Sequence, residues 1–328
     1  MNDSVIFSLT GNNDLVDEIC QRLDTVPGKI DVKHFADGEI LVELGESVRG
    51  KKVYFVQSTY KPVNERLMEL LIAVDCVKRA SASDIICIIP YYGYARQDRK
   101  ASPRQPITAK LVADLLTAAG ADRVAMFDLH ASQIQGFFDF PVDDLTCVPM
   151  IGQYFFNKGL DLANTVVVSP DHGGTNRARK LADILDTPLA IVDKRRPRAN
   201  VCEATSVVGD VDGKDVIIID DMCDTGGSLA ASCQILKDHG AKDIYVSLTH
   251  GVFSGEAGKK LQEAPIKEII VSNTIPLNEE FKATNNKTTV LSVAPMLSDL
   301  ISAISNHTPV SKIYAPYAVN EEQSNKLW

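Results

Sequence analysis

The sequence predicts an α/β protein in two domains, each a mainly parallel sheet flanked by helices. Three observations lead there. Short apolar, β-branched runs recur along the chain, stretches of helical hydrophobic spacing separate them, and 328 residues exceed one ordinary compact unit. Continuously apolar strands are buried on both faces, and alternation of strand with helix makes crossovers that leave neighbouring strands parallel.

In the first half the runs are Val53 to Gln57, Ile85 to Ile89 and Val124 to Phe127, and Leu67, Leu70, Leu71, Val74 and Val77 mark a helix between the first two. In the second half they are Val166 to Val168, Val216 to Ile219, Ile244 to Leu248 and Ile269 to Val271, with Leu229, Cys233 and Leu236 at helical spacing. The stretch Asp143 to Met150 is the expected joint, giving domains over 1–146 and 147–313 and a polar, aperiodic tail over 314–328. In open sheets of this class ligands bind beyond the carboxyl ends of the strands, so chemistry is expected just after each run.

Composition narrows the function. With 45% hydrophobic and 23% charged residues the chain is neither disordered nor fibrous. A net charge of -9 argues against a general affinity for nucleic acid or anionic membrane, although local basic clusters can still hold small phosphates. Cys20, Cys76, Cys87, Cys147, Cys202, Cys223 and Cys233 form no CxxC pair, and a reducing cytoplasm is expected. Met1 to Leu9 carry no basic segment followed by a long apolar stretch, and no run approaches the roughly 18 apolar residues of a membrane span, so neither secretion nor membrane insertion is expected.

The most informative segment is Val216-Ile217-Ile218-Ile219-Asp220-Asp221-Met222-Cys223-Asp224-Thr225-Gly226-Gly227-Ser228. It reads as a buried strand leading through an acidic, glycine-containing loop into a helix. Amides at the loop and helix N-terminus can hold a phosphate, Thr225 and Ser228 add hydroxyl donors, and Asp220 and Asp221 can accept from sugar hydroxyls. Its pieces are common as strand ends and helix caps, whereas the full pattern is rare.

The remaining motifs are weaker singly. Arg96 and Gln97 set a guanidinium beside an amide just after the Ile85 run, a pair suited to triphosphate oxygens and a base edge. Phe35-Ala36-Asp37-Gly38-Glu39 taken alone is a hairpin turn. His130 and Asp171 each follow an apolar run, one in each half; together they suit a divalent cation bridging phosphates, and alone a histidine there is structural. Lys194, Arg195, Arg196 and Arg198 crowd around Pro197, either as a solvated surface loop or as a cationic lid over a substrate. There is no G-x-x-x-x-G-K-[ST] loop and no protein-kinase signature set, so ordinary γ-phosphoryl machinery is not expected.

The Val216 to Ser228 segment is similar to the phosphoribosyl-diphosphate-binding loop of type I phosphoribosyltransferases. Together with Phe35 to Glu39, Tyr91 to Arg99, Asp128-Leu129-His130, Ser169-Pro170-Asp171 and Asp193 to Arg198 in that order, the chain from Val5 to Ile313 resembles class I ribose-phosphate diphosphokinases. The resemblance implies two similar type I phosphoribosyltransferase-like domains. It implies an ATP site from Phe35, Asp37, Gly38, Glu39, Arg96 and Gln97. It places ribose 5-phosphate on Arg196, Asp220, Asp221, Asp224, Thr225, Gly226, Gly227 and Ser228, and makes Lys194 and Arg196 the catalytic pair. Magnesium (Mg2+) would be held at His130 and Asp171, with Asp128 as an outer acceptor. The implied reaction is attack of the anomeric hydroxyl of ribose 5-phosphate on the β-phosphorus of Mg-ATP, giving phosphoribosyl diphosphate and AMP for nucleotide, histidine and tryptophan biosynthesis.

A cytoplasmic hexamer with phosphate and ADP as effectors is also implied, with Ser47, Arg49, Gln135, Asp143 and Ser311 in the effector site. Four positions depart from the family's common pattern: Ala36, Pro103, Ser228 and Pro309, the last replacing one of two serines of that effector site. Two alternatives remain. A phosphoribosyltransferase would share the Asp220 to Ser228 loop but leaves Arg96, Gln97 and the basic lid unexplained. A catalytically silent regulatory homologue would bind nucleotide, yet such proteins tend to lose lid residues that this chain keeps.

Overall fold

The computed structural model describes residues 3–194 and 205–318. In chain order the elements are β1 (Ser4–Ser8), α1 (Asn13–Arg22), β2 (Ile30–His34), β3 (Ile40–Leu44), β4 (Lys52–Val56), α2 (Val63–Arg79), β5 (Asp84–Ile89), α3 (Thr108–Ala119), β6 (Arg123–Phe127) and β7 (Val142–Leu145). Then come α4 (Val148–Lys158), β8 (Thr165–Ser169), α5 (Thr175–Leu185), β9 (Leu189–Lys194), β10 (Thr205–Val208), β11 (Asp215–Cys223), α6 (Gly227–Asp238) and β12 (Ile244–Gly251). The chain continues through α7 (Ala257–Glu263), β13 (Glu268–Ser272), α8 (Glu279–Thr284), β14 (Thr288–Leu291) and α9 (Ala294–Ser305). Every predicted apolar run coincides with a strand, with Gln57 alone falling just past the end of β4. β1, β7, β9, β10 and β14 are not among those runs because their apolar stretches are short or mixed with polar residues.

The chain forms two compact units. Among the described residues the first holds 3–146, 274–276 and 292–313, and the second holds 147–194, 205–273, 277–291 and 314–318. In the first, a parallel five-stranded sheet runs β1-β4-β5-β6-β7, and β2 and β3 pair as a separate antiparallel hairpin. Val53, Phe55, Ile85, Cys87, Ile89, Val124 and Met126 alternate along their strands and pack with α2 and α3. The other face presents Tyr54, whose hydroxyl is 2.8 Å from Ser305 Oγ at the end of α9. That corrects the linear division at 147–313. α9 covers a sheet far upstream in the chain, because the crossover helices α2 and α3 leave the opposite face of that sheet bare and an apolar face must be buried.

The second unit's sheet has seven strands in the order β10-β9-β8-β11-β12-β13-β14, and all neighbours are parallel except β10 and β9. Its core gathers Val166, Val168, Val216, Ile218, Val246, Leu248, Ile269 and Val271 with Leu229, Cys233 and Leu236 of α6. β11 extends beyond the expected Ile219 as far as Cys223, because Asp220, Met222 and Cys223 still find partners in Leu248, His250 and Gly251 of β12. Among the described residues no helix is long and apolar enough to cross a membrane.

Candidate active site

The strand order of the second unit reverses between β8 and β11: from β8 the chain moves out through β9 to β10 and returns to pair β11 on the other side of β8. Such a reversal opens a crevice at the carboxyl ends of the two strands. Asp171 follows β8, in a loop shaped by Ser169 Oγ donating to the Asp171 carbonyl (2.6 Å) and by the Gly174 amide donating to Asp171 Oδ1 (3.0 Å). Asp220 and Asp221 end β11, and Asp224 to Ser228 carry the chain into α6.

Backbone anchors set this loop. Cys223 and Asp224 carbonyls accept from the Phe253 and Ser254 amides at 3.0 and 2.9 Å. Gly226 turns the chain at φ 74°, a left-handed conformation suited to glycine. Thr225, Gly227 and Ser228 are exposed where α6 begins, so hydroxyls and helix-terminal amides lie at one accessible point, an arrangement that holds anions. Cys223 behind them is buried, and burial pushes its thiol up to about 12, which removes it as a nucleophile.

Arg177 of α5 stands 3.6 Å from Oδ1 of both Asp220 and Asp221. Burial, and then the Asp221 carboxylate, push the Asp220 carboxyl well above the usual range, while Arg177 pulls it back. The Asp220 side chain keeps 27% of its surface open to solvent, which tempers that push. Sequence reasoning missed Arg177, which shows locally only as a cation in the first turns of an amphipathic helix. It missed His172 too, whose Nε2 lies 3.2 Å from Asp193 Oδ1, just before Lys194. Lys194 ends β9 with its backbone registered against Thr205, while Arg195, Arg196 and Arg198 lie outside the described residues.

In the first unit the polar residues after β4 brace the loop after β5. Ser58 Oγ accepts from the Tyr91 amide (3.1 Å) and Thr59 Oγ1 from the Gly93 amide (2.7 Å). A Cβ on Gly93 would come 2.4 Å from the Thr59 carbonyl, so the approach requires glycine. Tyr94 then turns left-handed at φ 65°, and a short helical turn over Ala95–Gln97 holds Arg96 and Gln97 exposed. Both line a groove of about 560 Å³ with Tyr91, Tyr94, Asn64 and Glu65. Gln97 Oε1 accepts from Thr108 Oγ1.

Phe35, Asp37, Gly38 and Glu39 form the exposed tip of the β2–β3 hairpin, closed by the Phe35 amide donating to the Glu39 carbonyl (2.8 Å) and the Gly38 amide to the Phe35 carbonyl (3.0 Å). They do not join Arg96 and Gln97 in lining the groove. His130 is exposed after β6, and Asp128 at its start accepts from Thr146 Oγ1 at 2.7 Å. Of the expected effector residues, Ser47 and Arg49 are exposed ahead of β4. Gln135 Nε2 donates to Asp144 Oδ2 (3.2 Å), Asp143 Oδ2 pairs with Arg123 Nη1 (2.6 Å), and Ser311 follows α9.

A family model of the N-terminal domain of ribose phosphate pyrophosphokinase matches residues 4–120, and a model of the phosphoribosyl synthetase-associated domain matches residues 196–315. A ribose-phosphate pyrophosphokinase from Staphylococcus haemolyticus is 53% identical over 310 residues, 94% of this chain and 96% of that protein. The chain belongs to the ribose-phosphate pyrophosphokinase family. A relative of the same name from Caldanaerobacter subterraneus is 53% identical over 313 residues, covering 95% of this chain and 98% of its own length. The crystal structure of phosphoribosylpyrophosphate synthetase from Mycobacterium smegmatis superposes with a TM-score of 0.87 at 42% identity, covering 93% of this chain and 99% of that one. The α/β class and the family resemblance read from the motifs are both borne out.

Proposed function

We propose that this pyrophosphokinase family member transfers the β,γ-diphosphoryl group of Mg-ATP to the anomeric hydroxyl of ribose 5-phosphate, releasing AMP and 5-phosphoribosyl 1-diphosphate. The observation that carries the reading is the β11–α6 junction, an acidic strand end and an exposed helix N-terminus at the sheet's switch point. The 5-phosphate rests on Thr225 to Ser228, and Asp220 and Asp221, held by Arg177, accept from the ribose hydroxyls. Arg96 and Gln97 bind the nucleotide in the groove they line, and Phe35, Asp37 and Glu39, on the hairpin tip outside that groove, are assigned to it by the family resemblance alone. Lys194 and Arg196 stabilise negative charge on the transferred group.

Asp171 offers magnesium an exposed hard carboxylate, and the family resemblance adds His130, whose exposed imidazole is a less usual donor for that ion. Bound there, the ion would neutralise triphosphate charge. The enzyme works in the cytoplasm as a homo-hexamer under phosphate and ADP control through Ser47, Arg49, Gln135, Asp143 and Ser311.

The test is product analysis from ATP and ribose 5-phosphate with magnesium, for wild type and Lys194→Ala. Equal AMP and phosphoribosyl diphosphate, largely lost in the variant, is the expected result. Release of ADP contradicts the mechanism, and folded protein that binds ATP but makes neither product is a silent regulatory homologue.

A further inference from the structure

We infer that His34, Glu65 and Glu69 form a site for a transition-metal dication, Zn2+ by preference, that clamps the β2–β3 hairpin onto α2. His34 closes β2, and Glu65 and Glu69 lie one turn apart on one face of α2. Among the described residues, one ligand atom from each lies within 4.8 Å of the others.

Glu69 sets this group apart from an ordinary surface cluster. It is 1% exposed, and its Oε2 accepts both Thr10 Oγ1 (2.5 Å) and Gln57 Nε2 (2.8 Å), while Oε1 takes no hydrogen bond among the described residues. A buried carboxylate with one oxygen committed to orienting donors and the other open is how a metal-ligating carboxylate is held. Arg66, the neighbouring cation, is drawn aside, its Cζ 4.1 Å from the Tyr60 ring centroid and its Nη1 donating to Thr10 Oγ1 at 3.0 Å.

Donor chemistry selects the metal. One imidazole with two carboxylates suits Zn2+, whereas magnesium and calcium take oxygen ligands. His34 Nε2 is now 2.9 Å from Glu65 Oε1. Two ligands bonded at about 2.0–2.1 Å to a tetrahedral ion sit about 3.3 Å apart, so the pair must open by a few tenths of an ångström. Both side chains are over two-fifths exposed, at 42% and 44%, and can do so. Because His34 directly precedes Phe35, the ion would hold the hairpin tip in place.

The test is Zn2+ retention after dialysis against excess Mg2+, with thermal unfolding as a second readout. Wild type, His34→Ala, Glu65→Gln and His130→Ala are compared, the last removing the proposed active-site ligand. The expected result is stoichiometric Zn2+ on wild type and His130→Ala, at least about tenfold weaker retention in the two cluster variants, and a Zn2+-dependent rise in Tm that His34→Ala lacks. Retention by His34→Ala equal to wild type, or wild-type retention that disappears in His130→Ala, overturns the assignment, as does wild type that keeps no Zn2+. None of these outcomes depends on turnover, so they stand apart from the proposed reaction.

Discussion

In the second unit the strand order reverses between β8 and β11, whereas in the first it runs β1, β4, β5, β6, β7 with no reversal. The second unit's crevice is therefore a product of its connections, and its loop needs only the right residues at the mouth. Among its described residues the first unit's sheet makes no such reversal. Its groove is built by side chains after β4 holding the loop after β5, through Ser58 to Tyr91 and Thr59 to Gly93.

The largest expected effect assigns chemistry to the second unit and nucleotide binding to the first. Lys194→Ala should lower the rate of phosphoribosyl diphosphate formation by about 100- to 1000-fold, the cost of removing one preorganised charge-stabilising donor. ATP affinity by calorimetry should change far less. Arg96→Ala should do the reverse, weakening ATP binding while ribose 5-phosphate binding is kept. An Arg96→Ala enzyme with unaltered ATP affinity would detach the groove from the nucleotide.

Gly93→Ala probes the brace itself. The added methyl meets the Thr59 carbonyl at 2.4 Å, and overpacking of this kind costs about 1–3 kcal/mol. Denaturant unfolding should register that loss together with weaker ATP binding. Gly226→Ala, at φ 74°, should cost about 1 kcal/mol and weaken ribose 5-phosphate instead. Equal effects of the two variants on both ligands would erase the contrast between the units.

Asp220 gives a pH signature. Its folded-state pKa is raised by burial and by Asp221, so its contribution to stability is fully present below the unfolded carboxylate pKa and is lost as pH rises through the folded value. Asp220→Asn removes that dependence. The variant should gain stability relative to wild type between acid and neutral pH in thermal melts. Its ribose 5-phosphate binding should fall by about 1.5–3 kcal/mol, the worth of hydrogen bonds to a charged group. The smallest effect is expected at Pro309→Ser, which should strengthen phosphate activation or ADP inhibition in initial-rate assays. Unchanged responses to both would remove Pro309 from the regulatory argument.

Much of this was legible in the chain itself. Runs such as Val216 to Ile219 and Ile85 to Ile89 announce buried parallel strands, because a two-sided apolar strand has no other stable place. The polar residues after them mark the strand ends where the proposed ligands are expected, and Asp220 to Ser228 carries its own loop and helix start. The hairpin at Phe35 to Glu39 was equally local. These features follow from backbone repeat and turn chemistry within a few residues, where side-chain direction is set by the repeat.

Tertiary structure alone decided the rest. α9 shows an apolar face, but nothing within it says that the face covers the first unit's sheet beside Tyr54. Arg177 reads as one more helix cation until β8 and β11 become neighbours and bring it to two carboxylates. His34, Glu65 and Glu69 gather only when the hairpin lies against α2. Each depends on contacts between segments distant in sequence, and such contacts are set by how the whole chain closes its sheets and buries their open faces, which local periodicity does not encode.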